Sequence, residues 1–294
     1  MRPASAGAAV FVVCYLAARS AYAHGVVGQR SFIEPFITED VNPKNEFVIA
    51  RPEWDHGSEA RSLSLGFGLE KKLADTVSIT VDGEWDSVSP NAPDEPQATG
   101  FNNLGITLKH AFYINPEHEG ILSVALEATA PVGKASVGAE QDWSFKPFLL
   151  CGKGFGDLPR ALQYLRPFAV QCDGGFEISI DHARTTTLVY NMAWQYSIPY
   201  LQSFVYDLGW GWPFNDLIAV TEFNFEHGVH GEDSGQARYF TTPGIVYMDR
   251  YVEVGVAGRF PLTGQAHTEI NWGVVGIVDF FIDDIFPATT WQPF

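Results

Sequence analysis

Beyond its first two dozen residues, the chain lacks any apolar run long enough to cross a bilayer as a helix, which takes about 20 residues. The most apolar later stretch, Trp272–Ile282, is interrupted by Asp279 and rich in Gly and Val. Basic residues are scarce. There are 18 Lys and Arg against 35 Asp and Glu in 294 residues, a formal charge of −17. Phosphate backbones are bound through Lys and Arg, so this balance excludes a nucleic-acid partner. Cysteine is nearly absent, at three residues. Enzyme signatures are missing as well: there is no Gly-x-Ser-x-Gly elbow, His-Glu-x-x-His or phosphate-binding glycine loop. The chain reads as non-enzymatic and without a cofactor, although a triad assembled from scattered Ser, His and Asn would be visible only in geometry.

What is present begins at the N-terminus. A short basic start, Met1-Arg2, precedes the apolar run Gly7–Ala18, and Ala21-Tyr22-Ala23 supplies a small-x-small cleavage pattern. Residues 1–23 are therefore expected to be a signal peptide, leaving a mature chain that starts at His24. Cys14 lies inside the apolar run behind Val13, outside any lipoprotein acylation context. An exported chain without a helical span is either released or inserted as a barrel, because only helices and closed barrels satisfy their backbone in lipid.

The choice between these rests on alternation. In Thr76–Trp85, Val77, Ile79, Val81 and Trp85 share one face, while Ser78, Thr80, Asp82 and Glu84, with the following Asp86, share the other. A period of two is that of a strand. A strand with one apolar face ending in an aromatic and one face carrying three carboxylates suits a barrel with lipid outside and water inside. The pattern recurs in Arg61–Glu70, Asn103–Phe112, Leu122–Pro131, Thr187–Ile198, Leu217–Glu226 and Tyr251–Phe260. With Phe47–Trp54, Trp143–Gly152, Tyr164–Gly174, Arg238–Met248 and Glu269–Ile282, the count is about twelve strands, within 10–14. The fold class is all-β: a single-chain, antiparallel, up-and-down transmembrane barrel over 46–294 with a short C-terminal tail. Residues 24–45, with Pro35, Pro43 and an acidic cluster, have no period and are expected to lie outside the barrel or plug it. Ser87–Gly100 and Gly133–Asp142 read as external loops, and Tyr200–Asn215 as an interfacial connection rich in Trp and Tyr. Twenty-two Phe, eleven Tyr and eight Trp fit aromatic girdles at the two interfaces.

On these residues the chain resembles bacterial outer-membrane β-barrels. The resemblance is carried by the signal ending at Ala23, the alternating segments, the glycine-aromatic last strand (Trp272, Gly273, Gly276, Phe280, Phe281) and the terminal Phe294. It departs in one place: Asp283–Pro293 separates that strand from Phe294. More narrowly, the chain is similar to outer-membrane transporters associated with the meta-pathway of phenol degradation. The resemblance implies passive transport in the cell outer membrane. Its implied partners are outer-membrane lipid and lipopolysaccharide, the barrel-assembly machinery and a small solute.

The candidate lumen residues are Asp82, Glu84, Asp86, Glu127, Glu222, Glu226, Glu253 and Asp279, opposed mainly by Lys109 and Arg259. Rings of carboxylates raise the local cation concentration, which would make a cation-favouring pore; the same groups could equally just solvate the interior or pair across it. His227 and His230, beside Glu232 and Asp233, and the mature amino-terminal His24 could bind copper or zinc. An ordinary Gly-rich loop and an incidental cleavage-site residue account for them as well, so no metal site is assigned. Cys151 and Cys172 face each other across one hairpin and are either bonded or free, since a disulfide requires tight register. Three functions remain: a channel for small solutes, a non-conducting barrel that binds or displays a ligand, and a secreted soluble β protein.

Overall fold

The computed structural model describes residues 25–92, 94–181, 186–231 and 233–287. The expected signal peptide, His24 and Phe294 lie outside these. A two-residue ribbon, β1 (Val26–Val27) with β2 (Arg30–Ser31), precedes the barrel strands. Those are β3 (Glu46–His56), β4 (Ala60–Ala74), β5 (Val77–Pro90), β6 (Ala98–Asn115), β7 (Gly120–Ala130) and β8 (Ser144–Gly154). There follow β9 (Phe168–Ser179), β10 (Thr186–Ser197), β11 (Leu217–His230), β12 (Ala237–Met248), β13 (Val252–Pro261) and β14 (Trp272–Phe281). Each pairs antiparallel with its sequence neighbours, and β14 pairs with β3, closing a barrel of twelve strands. Closure removes the open edges that lipid cannot satisfy.

Alternation sets which side chain meets which phase. Leu63, Leu65, Phe67 and Leu69 of β4 and Leu122, Val124 and Leu126 of β7 stand exposed on the outside. Their neighbours Glu70, Ser123 and Ala125 are buried inside. Ile79, Leu126 and Trp194 point outward as the alternation requires, Leu126 being 49% and Trp194 38% exposed. An apolar, aromatic outer wall around a polar interior is a transmembrane β-barrel of the outer-membrane kind. Among the described residues no helix is long and apolar enough to cross a membrane.

Several strands run further than alternation suggests. β5 continues to Pro90 and β6 begins at Ala98, so the expected loop Ser87–Gly100 shrinks to 91–97. β11 continues to His230, which moves His227 and His230 from a loop onto a strand, with a register shift in the ladder to β10 between them. Three prolines lie inside strands. Pro52, Pro147 and Pro243 sit where the ladder to β14, β9 and β13 respectively skips a pair, so the N–H that proline lacks is not demanded.

With an even number of strands, both ends of the barrel chain reach the same rim. The connections there are 75–76, 116–119, 155–167, 198–216 and 249–251; the far rim has 57–59, 91–97, 131–143, 180–185, 231–236 and 262–271. The two long connections at the terminal rim carry short helices: Arg160–Leu165 behind Pro159, then Ile198–Tyr200 and Leu201–Val205.

Placing a charge on the lipid-facing wall is expected to be costly. Leu126→Arg, near the middle of β7, should lower barrel stability by about 2–4 kcal/mol in urea unfolding from lipid vesicles. A loss below half a kcal/mol would mean that this face does not meet hydrocarbon.

Candidate functional site

The lumen is occupied. Residues 25–45 run inside the wall along the half of the barrel nearer the terminal rim, and nearly all of 32–45 is buried. This stretch has no regular ladder of its own beyond the β1–β2 ribbon, so its backbone N–H groups need partners in a dry space. The wall supplies carboxylates. Glu222 of β11 accepts from the backbone N–H of Phe36 (2.6 Å), Ile37 (3.1 Å) and Thr38 (2.7 Å) and from the Thr38 hydroxyl (2.7 Å). Glu253 of β13 accepts from the Glu34 N–H, Asp173 of β9 from Glu39, and Glu70 of β4 from Lys44. Amides contribute at Gln171 and Gln195, which donate to the carbonyls of Ile33 and Ser31.

Apolar packing fixes the same segment against two arcs of wall. Val27, Phe32 and Val41 pack with Ala111, Ile121, Phe148 and Leu150 on β6–β8 and with Ala169 on β9. Ile33 and Phe36 pack with Ile218, Val220, Val246, Val275 and Ile277 on β11, β12 and β14. Phe32, Ile33, Phe36 and Val41 are at most 1% exposed; each contributes roughly 1.5–3 kcal/mol to seating the segment.

At the terminal rim one side chain ties the segment to the connections. Arg30, fully buried, pairs with Glu119 (3.3 Å) and donates to the carbonyls of Pro167 (3.0 Å) and Arg166 (2.5 Å). Its guanidinium lies 3.9 Å from the centre of the Tyr200 ring. Glu119 also accepts from the Tyr200 hydroxyl and the Gly156 N–H. Burial, then the neighbouring Glu119 carboxylate, pushes the Tyr200 hydroxyl up to about 12.

A cavity of about 500 Å³ remains between the segment and the wall from β3 to β9. Nine carboxylates line it (Glu34, Glu39, Glu46, Glu70, Asp82, Glu84, Glu127, Glu140, Glu177) against two cations, Arg51 and Lys146. Many are paired: Glu34 with Arg51 and Lys44, Glu39 and Glu70 with Lys109, and Glu127 with Lys146. Glu84 and Asp86 accept from Asn102, and Asp86 from Ser64. Towards the terminal rim the floor is Lys44 among Asp40, Glu34 and Glu46, with Lys109 beside Glu70; the side chains of Lys44, Lys109, Glu46 and Glu70 are at most 5% exposed.

The ten lumen residues expected from alternation do not form one ring. Asp82, Glu84 and Glu127 line the cavity. Glu222, Glu253, Asp279 and Lys109 are fully buried beneath or against the inner segment. Arg259 of β13 pairs across β14 with Glu53 and Asp55 of β3, on the same arc of the wall. The expectation that Lys109 and Arg259 are the main interior cations is corrected: Arg51, Lys146 and Arg238 from the wall and Arg30 and Lys44 from the segment join them. Lys146 was concealed because β8 turns Phe148 and Leu150 inward beside it, breaking the polar-inside pattern. Cys151 and Cys172 are opposite each other in the β8–β9 ladder and joined in a disulfide on the outward side of the wall. Among the described residues no group of three or more His, Cys, Asp or Glu is placed to hold a metal ion.

No protein-family model matches the sequence, and no curated protein matches it. Solved structures do share the fold. An outer membrane channel from Pseudomonas putida F1 superposes with a TM-score of 0.60 at 12% identity, covering 85% of this chain and 99% of that one. The NanC porin superposes with a TM-score of 0.51 at 9% identity, covering 80% of this chain and 98% of the porin. At such identities the likeness establishes the barrel fold.

Removing the carboxylate that holds the apex should loosen the segment and spare the wall. In Glu222→Ala the four bonds it accepts are lost, and each donor left unsatisfied costs about 1–3 kcal/mol. Limited proteolysis within 25–45 is expected to accelerate at least about tenfold while heat-modifiable gel migration stays barrel-like. Unchanged protection would show that the apolar contacts suffice.

Proposed function

We propose that the chain is an outer-membrane channel for passive passage of small solutes, occluded at rest by residues 25–45. The observation that carries this reading is the carboxylate-lined cavity in the lumen, floored by a segment that side-chain acceptors of the wall hold. Withdrawal exchanges the hydrogen bonds and ion pairs for bonds to water and also parts the apolar contacts of Phe32, Ile33, Phe36 and Val41 from the wall. Twelve strands leave room that eight would fill with side chains, so withdrawing the segment would expose a continuous polar lumen. The excess of carboxylates over cations in the cavity favours cations through the accumulated field. The same chain is proposed as a relative of the transporters associated with the meta-pathway of phenol degradation, with the barrel-assembly machinery as its insertion partner. The reading requires no catalytic group and no cofactor.

The buried floor favours a second reading, a barrel that never conducts and instead binds or displays a ligand at its far rim. Planar-bilayer recording separates the two. The intact barrel is expected to open rarely, whereas Glu222→Ala and a chain lacking residues 25–44 should show sustained, larger conductance with cations preferred over anions. Asp82→Asn with Glu84→Gln should move the permeability ratio towards unity. Silence in the shortened chain, with barrel migration retained, would establish the second reading. An anion-selective current would end the cation preference alone.

A further inference from the structure

The guanidinium of Arg30 lies in a pocket walled by three connections of the terminal rim. Its edge meets the Glu119 carboxylate and the carbonyls of Pro167 and Arg166, and its face meets the Tyr200 ring. A planar fork met in this way is recognised as a guanidinium; the point charge of an ammonium would satisfy only part of the same partners. The rim residues are shaped for it. Among the described residues Glu119 is the one non-glycine with a positive φ (47°), and it is 4% exposed. An L side chain is strained in that left-handed region, where glycine is not, and such strain collects at functional positions. Held so, the Glu119 carboxylate accepts Arg30, the Tyr200 hydroxyl (3.0 Å) and the Gly156 N–H (3.0 Å) together. Two glycines leave it the space. A Cβ at 154 would strike the Glu119 carboxylate and the Arg30 Nε, and one at 156 the Glu119 carboxylate and the Tyr200 hydroxyl. Tyr200 is fixed in turn by its N–H on the Ser197 hydroxyl (3.2 Å). Arg166 turns its own guanidinium to the Leu158 carbonyl (2.7 Å) and gives its backbone carbonyl to Arg30.

We propose that this pocket is a guanidinium-binding site whose resident ligand is Arg30 and whose competing ligand is a free guanidinium-bearing solute at the terminal rim. A pocket that binds a tethered guanidinium also has affinity for an untethered one, and the two exclude each other. By linkage the solute favours the state in which Arg30 has left the pocket. The tether gives Arg30 a high effective concentration, against which the solute has to compete. The consequence for passage through the lumen rests on the reading of residues 25–45 as the occluding segment; the binding itself does not.

The full mature chain tests the site, with methylguanidinium as the probe and methylammonium at equal concentration as the control. In Arg30→Ala the pocket is vacated. Calorimetry should then show saturable one-to-one binding of methylguanidinium in the millimolar range, at least about tenfold tighter than that of methylammonium. Adding Glu119→Gln should abolish this binding while heat-modifiable gel migration stays barrel-like. Equal binding of the two cations, or binding that survives Glu119→Gln, would overturn the site. If neither cation binds because the vacated pocket has collapsed, the unsubstituted chain decides. There methylguanidinium should speed proteolysis within 25–45 at least about threefold, saturably, and methylammonium should not; equal cleavage in the two solutions would refute the competition. Selective binding and faster cleavage with unchanged bilayer conductance would keep the site and end the occluding role of the segment instead.

Discussion

A stretch of backbone without a ladder has been placed where water is scarce, and its N–H groups must be accepted by something. The acidic interior is the answer to that demand. Glu222 takes three successive N–H groups and one hydroxyl, while Glu253, Asp173 and Glu70 take one N–H each. The carboxylates in turn need cations once buried, and Lys44 and Lys109 sit among them. The charge excess of the chain is therefore partly structural: several of the acids that would otherwise colour a pore are committed to holding its contents.

The wall was largely legible in the sequence, because alternation is a local signal and lipid on one side with polar contents on the other makes it strong. The closed twelve-strand ring, the outward set on β4, β5 and β7 and the inward carboxylates follow from it. Boundaries were less legible. Ser87–Pro90 extend β5 although proline and serine there suggest a loop, and Pro147 weakened β8 although the ladder skips that pair. Proline inside a strand is tolerated where the neighbouring strand asks for no donor, a condition set by tertiary register.

The site was legible only in its parts. Which residues face inward could be read; which of them meet water could not, since that depends on residues 25–45, whose own sequence has no period. Pro35 and Pro43 mark that segment as irregular, and Phe32, Ile33 and Phe36 mark it as needing burial, but its path is dictated by acceptors spread over β4, β9, β11 and β13. Glu222 and Asp82 alternate alike on their strands, yet one is sealed under the segment and the other lines the cavity. Arg30 carried no sequence signal at all, because its partners Glu119, Arg166, Pro167 and Tyr200 come from three separate connections.

The place where the inner segment becomes wall has a mechanical consequence. Asn45 donates to Asp283 beyond the last strand, accepts the Ile282 N–H on its carbonyl and accepts the Lys72 N–H on its side chain. It therefore sits at the seam where first and last strands meet. Like the pin of a door set into its frame, that residue cannot travel without parting the ring. The other end of the segment is held differently, through the Arg30 guanidinium, which joins it to three separate connections of the terminal rim rather than to a strand.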